Sequence, residues 1–208
     1  MASTGGFRNW TLNKKSDHNS SMTSFLSNRD IYESVICGIV PQVKERLWIA
    51  TADIKDMFVE PPSRVAEVRR GGRDMVPFLE VLARMVKRGI EVRLIHAKEP
   101  GPNWREDFDR YPGLWEGMER VLCPRVHFKC IIVDGVKVYF GSANLTGAGM
   151  GAKSERKRNF ENGILTDDPA LVNPLIEQFD SVWRGDFCRD CGRRDFCGDC
   201  PVDDQISG

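Results

Sequence analysis

VHFKCIIVDGVKVYFGSAN, residues 126–144, contains two runs rich in branched and aromatic side chains, 126–133 and 136–140, separated only by Asp134-Gly135. Asp-Gly between such runs is the strongest short-range hairpin signal, because both residues tolerate the positive φ that a tight turn demands. A two-residue turn sets Val133 against Val136 and, stepping back along both strands, His127 against Ser142. Side chains alternate faces along a strand, so His127 and Lys129 share one face, and Ser142 and Asn144 share one face of the partner. These polar groups then converge, while Phe128, Cys130, Tyr139 and Gly141 fall on the opposite, apolar face. A bulge would shift the register without scattering the constellation. An imidazole, a fixed cation and neutral donors are the parts that phosphoryl transfer requires. One attacks phosphorus and the others hold its non-bridging oxygens.

Outward from the hairpin, helices and strands alternate. Between Asp30 and Val43 the residues Ile31, Val35, Ile36 and Ile39 recur at helical spacing, and Leu47–Ala50 reads as a buried strand. A second helix is predicted from Asp74, suited to an N-cap, to Gly89, suited to a C-terminal cap, with Ile90–Ile95 as the strand after it. Residues 97–113 carry Pro, Gly and charge and read as an irregular excursion, followed by a short helix up to Leu122. Phe160–Leu165 is a further strand. Asp168-Pro169 then opens a helix with the apolar stripe Leu175, Ile176, Phe179, Val182 and Trp183, closed by Gly185. This order predicts an α/β domain over residues 29–185, with helices packed on a largely buried sheet. Residues 1–28 are polar and without apolar period and read as an N-terminal arm, and residues 186–208 form a cysteine-bearing tail. Arg64, Arg69, Arg70 and Arg73 crowd a loop around Gly71-Gly72 that is either solvated or in contact with phosphate.

Composition narrows the function classes. Lysine plus arginine equals aspartate plus glutamate at 30 each, so no global basic field announces a polyanionic partner, and any such binding must use local patches. The longest apolar runs fall far short of the roughly 18 residues a membrane span needs, and the N-terminus lacks a signal-peptide core. The expectation is therefore a protein without stable membrane insertion. Seven cysteines is an odd number, and four of them form two CxxC pairs, which points to a reducing compartment and a cytoplasmic location. The pairs, Cys188-x-x-Cys191 and Cys197-x-x-Cys200, sit in a near-repeat, DFCRDC then DFCGDC. Facing one ion they would give a closed four-thiolate site that is structural rather than catalytic, holding zinc or, alternatively, an iron–sulfur cluster. Arg189, Arg193 and Arg194 around the knuckles could touch phosphate. Cys37, Cys123 and Cys130 suit core positions.

His127-x-Lys129, then Asp134, then Gly141-Ser142-x-Asn144 resembles the signature of the phospholipase D superfamily. Six specified positions at fixed spacing arise by chance in a chain this long on the order of a few times in a million. Leu145-Thr146-Gly147 and Asn159-Phe160-Glu161 are also similar to the residues that the family carries after its signature. The resemblance implies a mixed β-sheet flanked by helices and a phosphodiesterase that needs no metal for catalysis. His127 would attack phosphorus to give a phosphohistidine, and a second histidine would protonate the leaving oxygen and later activate water. It also implies that Glu161 hydrogen-bonds and orients the histidine. Asp134 either orients neighbouring groups or closes the turn.

Two histidines are required, and the chain offers only His18, His96 and His127. His96-x-Lys98 imitates the start of the motif, but Asn103 stands where the aspartate belongs and no GSxN follows. The missing imidazole is expected from a second copy of the chain, which makes the active unit a homodimer. Fold does not fix substrate. Lys153, Arg156, Lys157 and Arg158 beside the hairpin favour DNA or RNA, and no amphipathic membrane face supports a phospholipid. The expected activity is a nuclease, with a lipid phosphodiesterase and a non-catalytic nucleic-acid-binding module as the alternatives.

Overall fold

The computed structural model describes residues 21–61 and 75–198. His18, the arginines at 64–73, Asp74 and Cys200 lie outside the described residues. The main sheet has seven strands: β1 (Thr23–Ser27), β2 (Arg46–Thr51), β5 (Glu91–His96), β6 (Met118–Leu122), β7 (Cys130–Val133), β8 (Lys137–Gly141) and β9 (Asn162–Thr166), in the order β1-β9-β8-β7-β2-β5-β6. A small antiparallel pair, β3 (Phe58–Val59) and β4 (Val76–Pro77), stands apart. β2, β5 and β6 run parallel, and β7, β8, β9 and β1 continue antiparallel from β2, so the sheet is mixed.

Alternation along the central strands feeds two cores. Leu47, Ile49, Val92, Leu94, Ile131, Val133 and Tyr139 face the helical segment Arg29–Gln42, whose middle is a π-helix, and the helix Phe78–Lys87. Trp48, Ala50, Ile95, Cys130, Ile132 and Val138 face the helix Pro169–Trp183 through Val172 and Phe179. Trp48 stacks on Phe179 with ring centroids 5.2 Å apart, and Phe179 stacks on Trp183 at 5.9 Å. Central strands buried on both faces are what a sheet with helical layers on either side requires. The last helix starts as its sequence dictates: Asp168 caps it by accepting the Ala170 N–H at 2.9 Å, with Pro169 in the first turn.

Four expectations are corrected. Residues 23–27 belong to an edge strand paired with β9 rather than to a polar arm. The excursion 97–113 contains a helix, Pro102–Asp109. The helix before Leu122 ends at Gly117, and Met118–Leu122 pairs in parallel with β5 as strand β6. Gly117 lies against Val86, where a Cβ would come within 2.1 Å of a side-chain methyl, so sheet pairing and close packing override helical propensity. Cys37 is exposed, Cys123 half-buried and Cys130 buried, so only the last is a core thiol.

Candidate active site

The signature residues other than Asp134 lie at one edge of the sheet, where β2 and β5 end, β7 begins and β8 ends. This is the carboxyl edge of the parallel strands, the usual place for a ligand in an α/β sheet. Only Cys130–Val133 is a strand, because β2 ends at Thr51 and offers residues before Cys130 no ladder partner. Val133 stands opposite Lys137, not Val136, so the turn holds one residue more than expected. Asp134 and Gly135 both adopt positive φ, 54° and 69°. The Asp134 N–H donates to the Arg46 carbonyl at 2.9 Å, and its carboxylate accepts the backbone N–H groups of Lys44, Glu45 and Arg46. The turn is thus drawn onto the start of β2 instead of closing as a tight pair. The register moves by one, the Lys129 carbonyl accepts the Gly141 N–H at 3.2 Å, and the expected pairing of His127 with Ser142 does not form. The predicted apolar face is split as well, with Cys130 on the side of the last helix and Tyr139 on the other.

His127 and Lys129 meet, but in this register Lys129 stands opposite Gly141, so strand alternation does not put Ser142 and Asn144 on their face as the shared-face argument expects. His127 is exposed, whereas Lys129 is buried at 8% exposure. The Lys129 ammonium donates to the His127 carbonyl at 2.6 Å and lies 3.4 Å from both ring nitrogens. Burial pushes the Lys129 pKa down, and the Glu161 carboxylate opposes that shift. A cation held this close to the imidazole is placed to meet an anion that the imidazole attacks.

Asn144 and Ser142 have different duties from those expected of a matched pair of donors. The Asn144 side-chain oxygen accepts the Ala52 and Asp53 N–H groups at 3.2 and 3.1 Å, and Thr51 Oγ1 at 3.4 Å. Two N–H donors on one side fix the amide's orientation and leave its NH2 without a protein acceptor among the described residues. Ser142 instead donates its hydroxyl to Glu161 and accepts the Asn162 N–H at 3.1 Å. Its hydroxyl proton is held by Glu161 rather than turned to an open position. Glu161 also accepts from the Asn159 amide at 3.0 Å and makes no hydrogen bond to His127 within the chain. The expected orienting contact is therefore not formed among the described residues. Gly141 and Gly163 pack on the Tyr139 ring, and a Cβ on Gly141 would lie 2.3 Å from the Asn162 carbonyl oxygen. That approach explains why the signature needs glycine before its serine.

Sequence reasoning missed Thr51 and Asn28, and named Asn159 only as a neighbour of Glu161 in the motif. Thr51 is buried, accepts the Leu145 N–H at 2.9 Å and donates to the Asp53 carbonyl at 2.7 Å, tying β2 to the segment after the signature. A Thr-x-Asp ending an apolar strand was the available signal. Asn28 exchanges hydrogen bonds with Glu161 across 133 residues, a contact no local pattern announces.

Asp134 lies about five residues up the strand from Lys129, roughly 17 Å at ~3.4 Å per residue, and is not part of the site. It is corrected to a structural lock. Burial alone would raise its pKa, but the N–H groups of Arg46, Glu45 and Lys44 outweigh that and hold it below the ordinary carboxylate range. A depressed folded-state pKa stabilises fully above the unfolded value, and the contribution is lost as pH falls through the folded one. Asp134→Ala is expected to cost about 1–3 kcal/mol, from backbone donors left without their acceptor, and to flatten the loss of stability with acid. Urea melts at neutral and acidic pH check this. Turnover per folded molecule should not change.

His96 is buried at 1% exposure, and its Nδ1 lies 2.7 Å from the Lys98 carbonyl oxygen, so it serves the interior rather than the site. In the tail, Cys188, Cys191 and Cys197 are partly exposed and form no disulfide among the described residues. The Arg193 N–H lowers the Cys191 pKa; burial opposes it, and the Arg125 and Arg194 guanidinium groups add smaller lowering effects. Cys197 Sγ donates to the Leu122 carbonyl at 3.3 Å. Among the described residues no three His, Cys, Asp or Glu side chains gather to hold a metal.

An exposed imidazole beside a buried ammonium, an oriented amide and a braced carboxylate thus lie on the carboxyl edge of a mixed sheet. The family described as cardiolipin synthase, PLD-like domain, matches residues 43–183. The chain belongs to this family, and with it to the phospholipase D superfamily of phosphodiesterases. Its fold is similar to NucT from Helicobacter pylori, with a TM-score of 0.54 and 16% identity over 78% of this chain and 95% of that one. It is likewise similar to Nuc from Salmonella typhimurium, described as a phospholipase D family member, at 0.55 and 16% over 79% and 95%. Phosphatidylserine synthase from Haemophilus influenzae aligns at 0.51 and 17% over 80% of this chain and 39% of that one. A protein named mitochondrial cardiolipin hydrolase, from Chlamydomonas reinhardtii, is 26% identical over 106 residues, half of this chain and 44% of that protein.

Proposed function

We propose that the protein cleaves nucleic-acid phosphodiester bonds through a covalent phosphohistidine, in an active site completed by a second copy of the chain. The observation that carries the chemistry is the Lys129 ammonium 3.4 Å from the exposed His127 ring. A ring nitrogen of His127 attacks phosphorus, forming a P–N bond as the bond to the leaving oxygen breaks. A partner imidazole gives that oxygen its proton. The same imidazole then removes a proton from water, whose oxygen attacks phosphorus and releases His127. Lys129 and the Asn144 NH2 hold the non-bridging oxygens throughout. His127 is the sole exposed histidine among the described residues, so the second imidazole is assigned to the symmetric chain, whose identical patch a two-fold axis brings to face it. This reading calls for Glu161 to act on the partner's imidazole or through Ser142.

Lys153, Arg156, Lys157 and Arg158 make no ion pair among the described residues and lie just after the hairpin, which favours a polyanion. The competing reading, a phospholipid diester, has the family's cardiolipin synthase description and the name of the algal relative in its favour. No described helix is long and apolar enough to cross a membrane. Single-stranded DNA, duplex DNA, RNA and cardiolipin vesicles, offered side by side in chelator, separate the two. We expect cleavage of nucleic acid without added metal. Turnover of vesicles alone would select the lipid reading, and strict dependence on added magnesium would remove the mechanism.

The four cysteines of the tail are proposed to hold one structural zinc, with a cluster as the alternative. Their donor chemistry fits, although the described thiols are not gathered. Metal analysis of the purified full chain should find about one zinc per chain, and Cys188→Ser should remove it.

A further inference from the structure

Phe160 is 97% exposed, the most exposed large apolar side chain among the described residues. Leaving an aromatic ring in water forgoes its burial, so a chain normally turns such a residue inward or leaves it on a segment free to move. Neither applies here. On one side the Asn159 N–H is bonded to the Ala148 carbonyl at 3.0 Å, and the Asn159 amide to Glu161 at 3.0 Å. On the other, the Glu161 N–H donates to Asn28 Oδ1 at 3.1 Å, and the Asn28 N–H to the Glu161 carbonyl at 2.9 Å. The backbone on both flanks is pinned, and the ring is held outward beside a carboxylate that itself receives the Ser142 hydroxyl.

The approach to this ring is basic. Lys153, Arg156 and Lys157 are exposed, Arg158 is partly so, and none is paired with a carboxylate among the described residues. The segment is ordered by its own bonds: Lys153 N–H to the Gly147 carbonyl at 3.0 Å, and Lys157 and Arg158 N–H to the Ser154 carbonyl at 2.8 and 3.0 Å. In a chain of net charge zero, this concentrates cation beside one fixed aromatic face at the edge of the site. Cations that track a phosphate backbone next to a ring on which a base can stack are the two elements of single-strand recognition.

We infer that Phe160 is a stacking platform that selects single-stranded over duplex nucleic acid, with Lys153, Arg156 and Lys157 gripping the adjoining phosphates. This rests on the nuclease reading and adds the residue that sets its substrate form. In a duplex both faces of each base are covered by neighbours, so the ring gains nothing there, whereas an unpaired base offers it a free face.

The test measures binding of the full chain to a fluorescent oligothymidylate of about a dozen nucleotides, an abasic strand of the same length, the matching duplex, and phosphatidylglycerol vesicles. Phe160→Ala is expected to weaken binding of oligothymidylate by on the order of tenfold or more, with the abasic strand and duplex unaffected. Phe160→Trp should restore it. Lys157→Gln should weaken all three nucleic acids and reduce the salt dependence. Thermal melting and sedimentation of each variant establish that fold and association are intact. Equal losses on the abasic strand, a loss confined to vesicles, or a loss accompanied by a change in sedimentation would overturn the assignment, the last showing that the ring contacts another copy of the chain. Wild-type protein that cleaves oligothymidylate while Phe160→Ala binds it undiminished would refute only the platform. Wild-type protein that neither binds nor cleaves any nucleic acid would refute the nuclease reading with it.

Discussion

His127→Ala is expected to lower diester cleavage by on the order of 10⁴-fold or more, since no other group in the site can form the covalent bond to phosphorus. The fold should not notice. His127 is exposed, and the short bond it receives from Lys129, at 2.6 Å, is to its backbone carbonyl, which alanine retains; only the longer ring contacts are lost. Turnover and thermal melting on the same preparation separate chemistry from folding. Mixing wild-type chains with an excess of the variant carries the test further, because on the proposed shared site each mixed dimer holds only one imidazole where two are needed. Activity should then fall as the fraction of wild-type pairs falls, not in proportion to wild-type chains.

Lys129→Met carries the second large effect. Removing a preorganised charge aimed at the reacting phosphoryl oxygens costs on the order of 10²–10³ in kcat. Stability should move little, for opposing reasons. Burial disfavours the ammonium, so its loss removes a desolvation cost, while the bond to the His127 carbonyl is lost with it. A methionine of similar length keeps the space filled. Activity and melting temperature measured together decide the matter. A variant that loses its fold along with its activity would make Lys129 a structural residue.

Most of the site was legible because it is local. His127, Lys129, Ser142 and Asn144 lie within one hairpin and so stay near one end of it, but the register is one residue away from the expected value, and the alternation that was to put them on one face does not do so. The error in register came from Asp134. Asp-Gly was read as a closed pair, but its carboxylate is taken by backbone donors of Lys44, Glu45 and Arg46, nearly ninety residues earlier in the chain. The strands at 46–51 and 91–96 were visible as apolar runs bounded by turns. Strand β6 was not, since Met118–Leu122 has two exposed charged residues and becomes a strand only by pairing with β5. Edge strand β1 was hidden for the same reason: a polar stretch gains its ladder from β9. The hydrogen-bond partners of Ser142 and Glu161 were not legible either. The motif says which groups are near, but which one holds a given proton depends on Asn28, Asn159 and Asn162.

The central claim is a double displacement at phosphorus. The stereochemical course of cleavage tests it without requiring an intermediate to accumulate, using a chiral phosphorothioate diester hydrolysed in isotopically labelled water. Attack by His127 and then by water inverts the centre twice, so the product should show net retention. Net inversion would mean that water attacks the diester directly, and would contradict the account.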